Sequence, residues 1–356
     1  MKKIKCFTKA LVVLLLVLML ISCGGSRRPA AETGAVAREP FELDIYSFST
    51  GTFTYILGMA MADLINEKSD YIKATSVESP GSAPNEVMMY NANDYKRQHT
   101  MFFGVGDNAW RGTGEFEGRQ TQRSKLAFSF SIVSSFMVTA NPNIKTVEDL
   151  AGKRVGLRGS SSPPNNHIRA LINAKAPNVS YDFLDYTSSV EANLSGAIDA
   201  WLPAAFAVAS DFSKWQGNPA TVEFFSRARD VNFISLPIDV DRALRVVPGG
   251  PFENFYNVVA TLPPKAMEDR QTSPFNATMA NSAFMVDQDF PEDVLYDILK
   301  IIVDNIDKLQ DYHPQAAFIS PQTMAIYTFP PEFHPGSVKY FGEVGVTPTF
   351  LGDMLK

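Results

Sequence analysis

"FELDIYSFSTGTFTYILGMAMADLINE", residues 41–67, decides the fold. Its first seven residues alternate apolar and polar, the pattern of a half-buried strand. From Phe53 the residues Phe53, Ile56, Leu57, Ala60, Leu64 and Ile65 recur at helical spacing. Between the two lie Ser47, Ser49, Thr50, Gly51, Thr52 and Thr54, more small polar groups than one helix cap requires. A strand, a small-residue turn and a helix make the repeating unit of an α/β layer.

The unit returns along the chain. "YIKATSVE" (71–78) reads as a second strand, followed by Gly81-Ser82-Ala83-Pro84-Asn85 and a short helix ending near Tyr90. "TMFFGVG" (100–106) reads as a third. "LAFSFSIVSSFMVTA" (126–140), long, aromatic and β-branched, is expected to carry the chain from one half of the molecule to another. "IKTVEDLAGKRVGL" (144–157) predicts a helix capped by Thr146, with Glu148 and Asp149 in its first turn, stopped by Gly152 before a strand at 154–157. "RGSSSPPNNHIRALI" (158–172) then repeats the opening design, with Ser162 as N-cap and Pro163 at the first helical position. Segments 179–186, 195–202, 222–226 and 231–237 continue the alternation. No regular structure is legible in the Pro/Gly-dense stretch 245–281. Residues 281–309 read as a strand and a long helix beginning at Pro291, and a last helix is expected around Val338.

At the N-terminus, Lys2, Lys3, Lys5 and Lys9 precede an uncharged apolar run, 10–21, the pattern of a signal peptide covering 1–22. Leu20-Ile21-Ser22-Cys23-Gly24 resembles a bacterial lipobox, which makes Cys23 the expected lipidation site. Residues 23–40 are small, polar and aperiodic, as a tether would be. The only other cysteine is Cys6, so no internal disulfide is expected in the folded body. Excluding the four leader lysines, the formal charge moves from −6 to −10. That balance argues against nucleic acid or an anionic membrane surface as partner, leaving membrane contact to the lipid alone. The remaining length suits two halves of ordinary domain size: 41–140 as the first part of lobe 1, 141–245 as lobe 2, and 246–356 returning to lobe 1.

Catalytic and metal chemistry leave little trace. His99, His167, His313 and His334 are far apart and no Cys/His spacing fits zinc, so no metal or cofactor is expected. No G-x-S-x-G, S-x-x-K, H-E-x-x-H or phosphate-loop pattern occurs. Gly104-Val105-Gly106-Asp107-Asn108-Ala109 matches a loose dinucleotide fingerprint, but an acid directly after the second glycine would repel a pyrophosphate. Asp107 is better read as an N-cap or as an acceptor facing a cleft. The hydroxyl-rich turns carry the functional signal: a helix N-terminus offers unpaired N–H groups and partial positive charge, so two of them can hold the ends of a small anion.

In order, these segments resemble the TAXI family of TRAP-transporter solute-binding subunits. The likeness rests on the turn 49–54, Gly81-Ser82-x-x-Asn85, Asp107 after the third strand, "IKTVEDLAGKRVGLRGSSS", "GAIDAWLPAA", "FPEDVLYDILKIIVDNID" and "FHPGSVKYFGEVG". It implies a type II periplasmic binding protein fold: two lobes, each a mixed β-sheet flanked by helices, hinged by crossing strands and closing on a ligand. It also implies a non-enzymatic, monomeric receptor in the periplasm or at the cell surface, serving a TRAP-type permease. Carried over by position, the ligand contacts would be Ser49, Thr50, Thr52, Gly81, Ser82, Asn85 and Asp107, with Ser160, Ser161, Ser162 and Trp201 from the second lobe. For Trp201 a place in the lobe core is the competing reading. Arg158 is the nearest countercharge for an anionic solute, a carboxylate or amino acid by the resemblance. The sequence departs from the family at Val105, where a glutamine is usual, and at Pro163-Pro164, where a glycine is. Two alternatives share the fold or the surface: an ABC-importer receptor of the thiamine-precursor type, and an adhesin or sensor.

Overall fold

Strand β1 (Phe41–Tyr46) buries Phe41, Leu43 and Ile45 and turns Glu42 to solvent, as its alternation requires. In the computed structural model, which describes residues 38–50, 52–158, 164–253, 255–328 and 332–354, β1 pairs in parallel with β2 (Ile72–Val77) and β3 (Thr100–Gly104). The expected leader, Cys23, Gly51 and Ser160–Ser162 lie outside those residues. β4 (Ser124–Ser135) and, past Phe136, β5 (Met137–Thr139) carry the chain onward. Beyond them come β6 (Arg154–Leu157), β7 (Ser180–Phe183), β8 (Ala200–Trp201), β9 (Ala204–Ala207) and β10 (Trp215–Gly217). β11 (Asn232–Ile234), β12 (Val258–Leu262) and β13 (Phe275–Asp287) follow.

These strands form two mixed sheets of related design. The first runs β10-β9-β4-β13-β3-β1-β2, with β12 also on β13; the second runs β11-β5-β8-β6-β7. Each has a central strand (β1, β6) between two parallel neighbours, then an antiparallel strand (β13, β5) arriving from elsewhere in the chain. The α/β class, the two mixed sheets and the crossing strands thus match the sequence expectation. β4 and β13 lie antiparallel from Ser124 opposite Asp287 to Ser135 opposite Thr278, the longest ladder in the molecule. Phe128 and Phe130 stack on Phe284 across it, with ring centroids 5.5 and 5.2 Å apart. The helix Phe53–Lys68 and the helix Glu292–Asp304 cover the first sheet, the latter burying Val294, Leu295, Ile298, Leu299 and Ile302 at helical spacing.

Two expectations fail locally. The helix from Thr146 is a single 3₁₀ turn, Glu148–Leu150, and Asp149 accepts the Lys145 and Thr146 N–H groups, so Thr146 caps nothing. Only five residues separate Thr146 from Gly152 (φ 70°), too few to recover the cost of nucleating an α-helix. The stretch 245–281, which had no legible structure, supplies β12 and the first half of β13. Their turn signals are packed so closely that the strands between them lack a readable period.

Two residues fix the turns that follow β1 and β3. Asn85 is buried and donates to the Ser47 and Phe103 carbonyls at 3.3 and 3.0 Å, tying the two strand ends together. Glu86, also buried, accepts the Val105 and Gly106 N–H groups at 3.0 and 2.8 Å and the Ser82 hydroxyl at 3.1 Å. Burial outweighs those bonds and pushes its carboxyl up to about 6 from 4.5. Folding therefore takes up a proton across that window, so Glu86's contribution, about 2 kcal/mol, is present below it and lost as pH rises through 6. Glu86→Gln keeps an acceptor for both amides and does not ionise. In chemical denaturation the wild-type protein should lose roughly that much relative to the variant as pH rises through 6; parallel stability curves would contradict it. Gly81 has φ 130°, and a Cβ there would stand 2.7 Å from the Phe48 ring. Gly81→Ala should cost about 1–3 kcal/mol of stability in the same assay; a cost near zero would show that Phe48 moves freely aside.

Candidate functional site

In an open α/β sheet a crevice forms past the C-terminal ends of the strands, where successive connections leave in opposite directions. β1 and β6 each hold that position. A cavity of about 960 Å³ lies there, reached by residues of both sheets. After β1 it is lined by Phe48, Thr52, Phe53 and Thr54, and from β3 by Phe103. The crossing strands give Phe130, Ser131, Val133 and Ser282. Arg158 and Tyr186 follow β6 and β7, Phe206 comes from β9, and His313 and Gln315 from the C-terminal segment.

Arg158 is the charged group of this cavity that has no ionic partner among the described residues. Its Nη2 donates to the Ser135 hydroxyl at 2.5 Å, at the end of β4, and its guanidinium lies 5.4 Å over the Tyr186 ring. Its Nε is buried, and among the described residues nothing accepts from it. A guanidinium in largely apolar surroundings costs several kcal/mol until an anion meets it. Glu223 also borders the cavity, but it holds Arg227 at 2.6 Å with 41% of its side chain exposed. His313 stacks on Phe53 with centroids 4.9 Å apart, its Nδ1 accepts the Gln315 N–H, and burial holds its pKa below the usual value.

Of the residues the sequence nominated, Thr52 and Arg158 line this cavity. Thr52 caps the helix at 53–68: its hydroxyl donates to the Ser49 carbonyl at 2.8 Å and accepts the Tyr55 N–H. Ser49 and Thr50 are exposed outside it, and Thr50 donates through both N–H and hydroxyl to Glu78. That pairing holds the Glu78 carboxyl below its ordinary range. Gly81, Ser82 and Asn85 serve the turns already described. Asp107 is neither an N-cap, a place taken by left-handed Gly106, nor a group facing the cavity. It is buried in a two-bond pair with Arg111, which also donates to the Pro251 carbonyl and covers Phe255. Trp201 is fully buried, edge-on to Phe224, and belongs to the core rather than the cavity. Ser160, Ser161 and Ser162 follow Arg158 and Gly159 in sequence but lie outside the described residues.

The aromatic lining went unread. Phe48, Phe103, Phe130, Phe206 and Tyr186 come from five separate segments, and no local pattern distinguishes them from core phenylalanines. The one usable signal was their excess, 26 phenylalanines in 356 residues.

Comparison with solved structures returns distant likenesses. A TctC solute-binding protein from Polaromonas shares 14% identity over 87% of this chain and 99% of its own, with a TM-score of 0.47. The periplasmic aliphatic sulphonate-binding protein SsuA of Escherichia coli shares 15% over 79% and 74%, with a TM-score of 0.44. Substrate-binding domain 2 of Lactococcus lactis GlnP shares 10% over 79% and 95%, with a TM-score of 0.39. Comparison with curated proteins found no match. The NMT1-like family matches residues 46–345, nearly the whole folded body. The chain therefore belongs to the NMT1-like family.

Proposed function

We propose that this protein is an extracytoplasmic receptor that captures a small organic anion between its two sheets and passes it to a TRAP-type permease. The observation that carries the reading is Arg158, a cation without an ionic partner among the described residues, at the wall of a cavity bordered by both sheets. A solute that touches residues 48–54, the crossing strands and Arg158 together gains its full contact energy only when the halves are shut. It then favours the shut form by population shift, the state a permease can recognise. On this reading 41–140 with 246–356 make up most of one lobe and 141–245 most of the other, with β9 and β10 crossing back to the first sheet. Cys23 would carry the lipid that holds the receptor outside the cytoplasmic membrane, with 23–40 as tether, and the receptor acts as a monomer.

Ser282, half-buried on β13, faces the cavity, and Ser282→Trp would fill it from the crossing strands. Calorimetric screening of the purified protein against organic acids should yield a ligand whose binding this variant weakens at least tenfold, with the melting temperature nearly unchanged. A ligand bound equally by both proteins would place the site elsewhere. The permease assignment is checked by uptake into proteoliposomes. Transport without ATP is expected, and an ATP requirement would assign the receptor to an ABC importer.

A further inference from the structure

The charges and rings around the cavity narrow the solute further, taking the receptor reading as given. Arg158 is the one lysine or arginine among the described residues lining it. The internal positions outside the description, 51, 159–163, 254 and 329–331, contain no ionisable side chain. His313 is kept neutral near pH 7 by burial. A second negative charge on the solute would therefore meet no second cation among the described lining residues. An ammonium group fares no better, because the bordering acid, Glu223, already holds Arg227 at the exposed edge.

One side of the wall is a continuous aromatic row, and the rest carries neutral polar groups, among them Thr52, Ser131, Gln216, Asn218, Ser282 and Gln315. Phe48 contacts Phe103 (centroids 5.8 Å apart), Phe103 contacts Phe130 (6.1 Å), Phe130 contacts Phe53 (5.9 Å) and Phe53 contacts His313. Tyr186 supports Arg158 from below its plane, and Phe206 borders the cavity from β9. The volume, about 960 Å³, stands at the upper end of small-molecule sites, roughly 300–1,000 Å³. A molecule of two or three carbons would leave those rings facing water or void. A flat, fused-ring body would contact them by offset or edge-on packing.

We infer that the solute is an aromatic monoanion, an aryl carboxylate or sulfonate, held by its single charge on Arg158 and by its ring system on the Phe48–Phe103–Phe130–Phe53 wall. Calorimetry with 2-naphthoate, naphthalene-2-sulfonate, 2-naphthamide, acetate, succinate and L-glutamate tests it. Either naphthyl acid should bind at least tenfold more tightly than the neutral amide, and than acetate, succinate or glutamate; which of the two binds better identifies the acid group. Arg158→Gln should remove the preference for acid over amide, while Arg158→Lys retains part of it. Phe206→Ala should weaken acid and amide by the same factor, at least fivefold. Tighter binding of succinate or glutamate, with loss in Arg158→Gln, overturns the solute class and leaves the receptor reading standing. Naphthoate binding that survives Arg158→Gln unchanged overturns the role of the charge. No binding of any organic acid overturns both readings.

Discussion

The long antiparallel ladder between β4 and β13 is the constraint on which the rest of this structure depends. Both strands run beyond the first sheet's parallel core, β4 toward β5 of the second sheet and β13 back from β12. The ladder, with Phe128 and Phe130 packed on Phe284, carries the cavity floor at Phe130, Ser131, Val133 and Ser282. Arg158 of the second sheet reaches the end of the same strand through Ser135. The strands that build the fold thus also position the site.

The electrostatics divide between the two sheets. The turns after β1 and β3 offer donors that suit an anion, and the protein fills them with its own carboxylates: Glu78 on Thr50, and Glu86 on Val105, Gly106 and Ser82. Asp107 and Arg111 neutralise each other nearby. What remains for a solute on that side is the first turn of the helix at 53–68 and a row of aromatic rings. The second sheet supplies the unsatisfied charge. A solute bound here meets a cation at one end and apolar surface at the other, an arrangement that selects for an amphipathic molecule.

The sequence made the architecture legible and the site only in part, for physical reasons. Alternation at 41–46 and helical spacing at 53–68 are local properties, and so is the capping hydroxyl of Thr52; these read directly. Asn85 and Asp107 are visible as polar residues at turns, but whether such a group faces a ligand or braces its own backbone depends on partners the local sequence does not reveal; Glu86, which does the latter, gives no sign in the sequence. Asn85 reaches Ser47 and Phe103, and Asp107 is matched by Arg111 one helical turn on. Arg158 is legible as the nearest countercharge for an anionic solute, but that its Nε has no acceptor among the described residues depends on the fold. Trp201 shows the opposite limit: at a strand end, core and cavity are separated by one residue's direction, and its ring points to Phe224.

A crystal structure of the protein with the solute it carries through purification tests the central claim most directly. The account predicts an aromatic acid in the cavity, with an oxygen of its acid group accepting from the buried Nε of Arg158 and its rings against Phe103 and Phe130. A solute whose charge is held instead by the turns at Thr50 or Ser82, with Arg158 still unpaired, would contradict it.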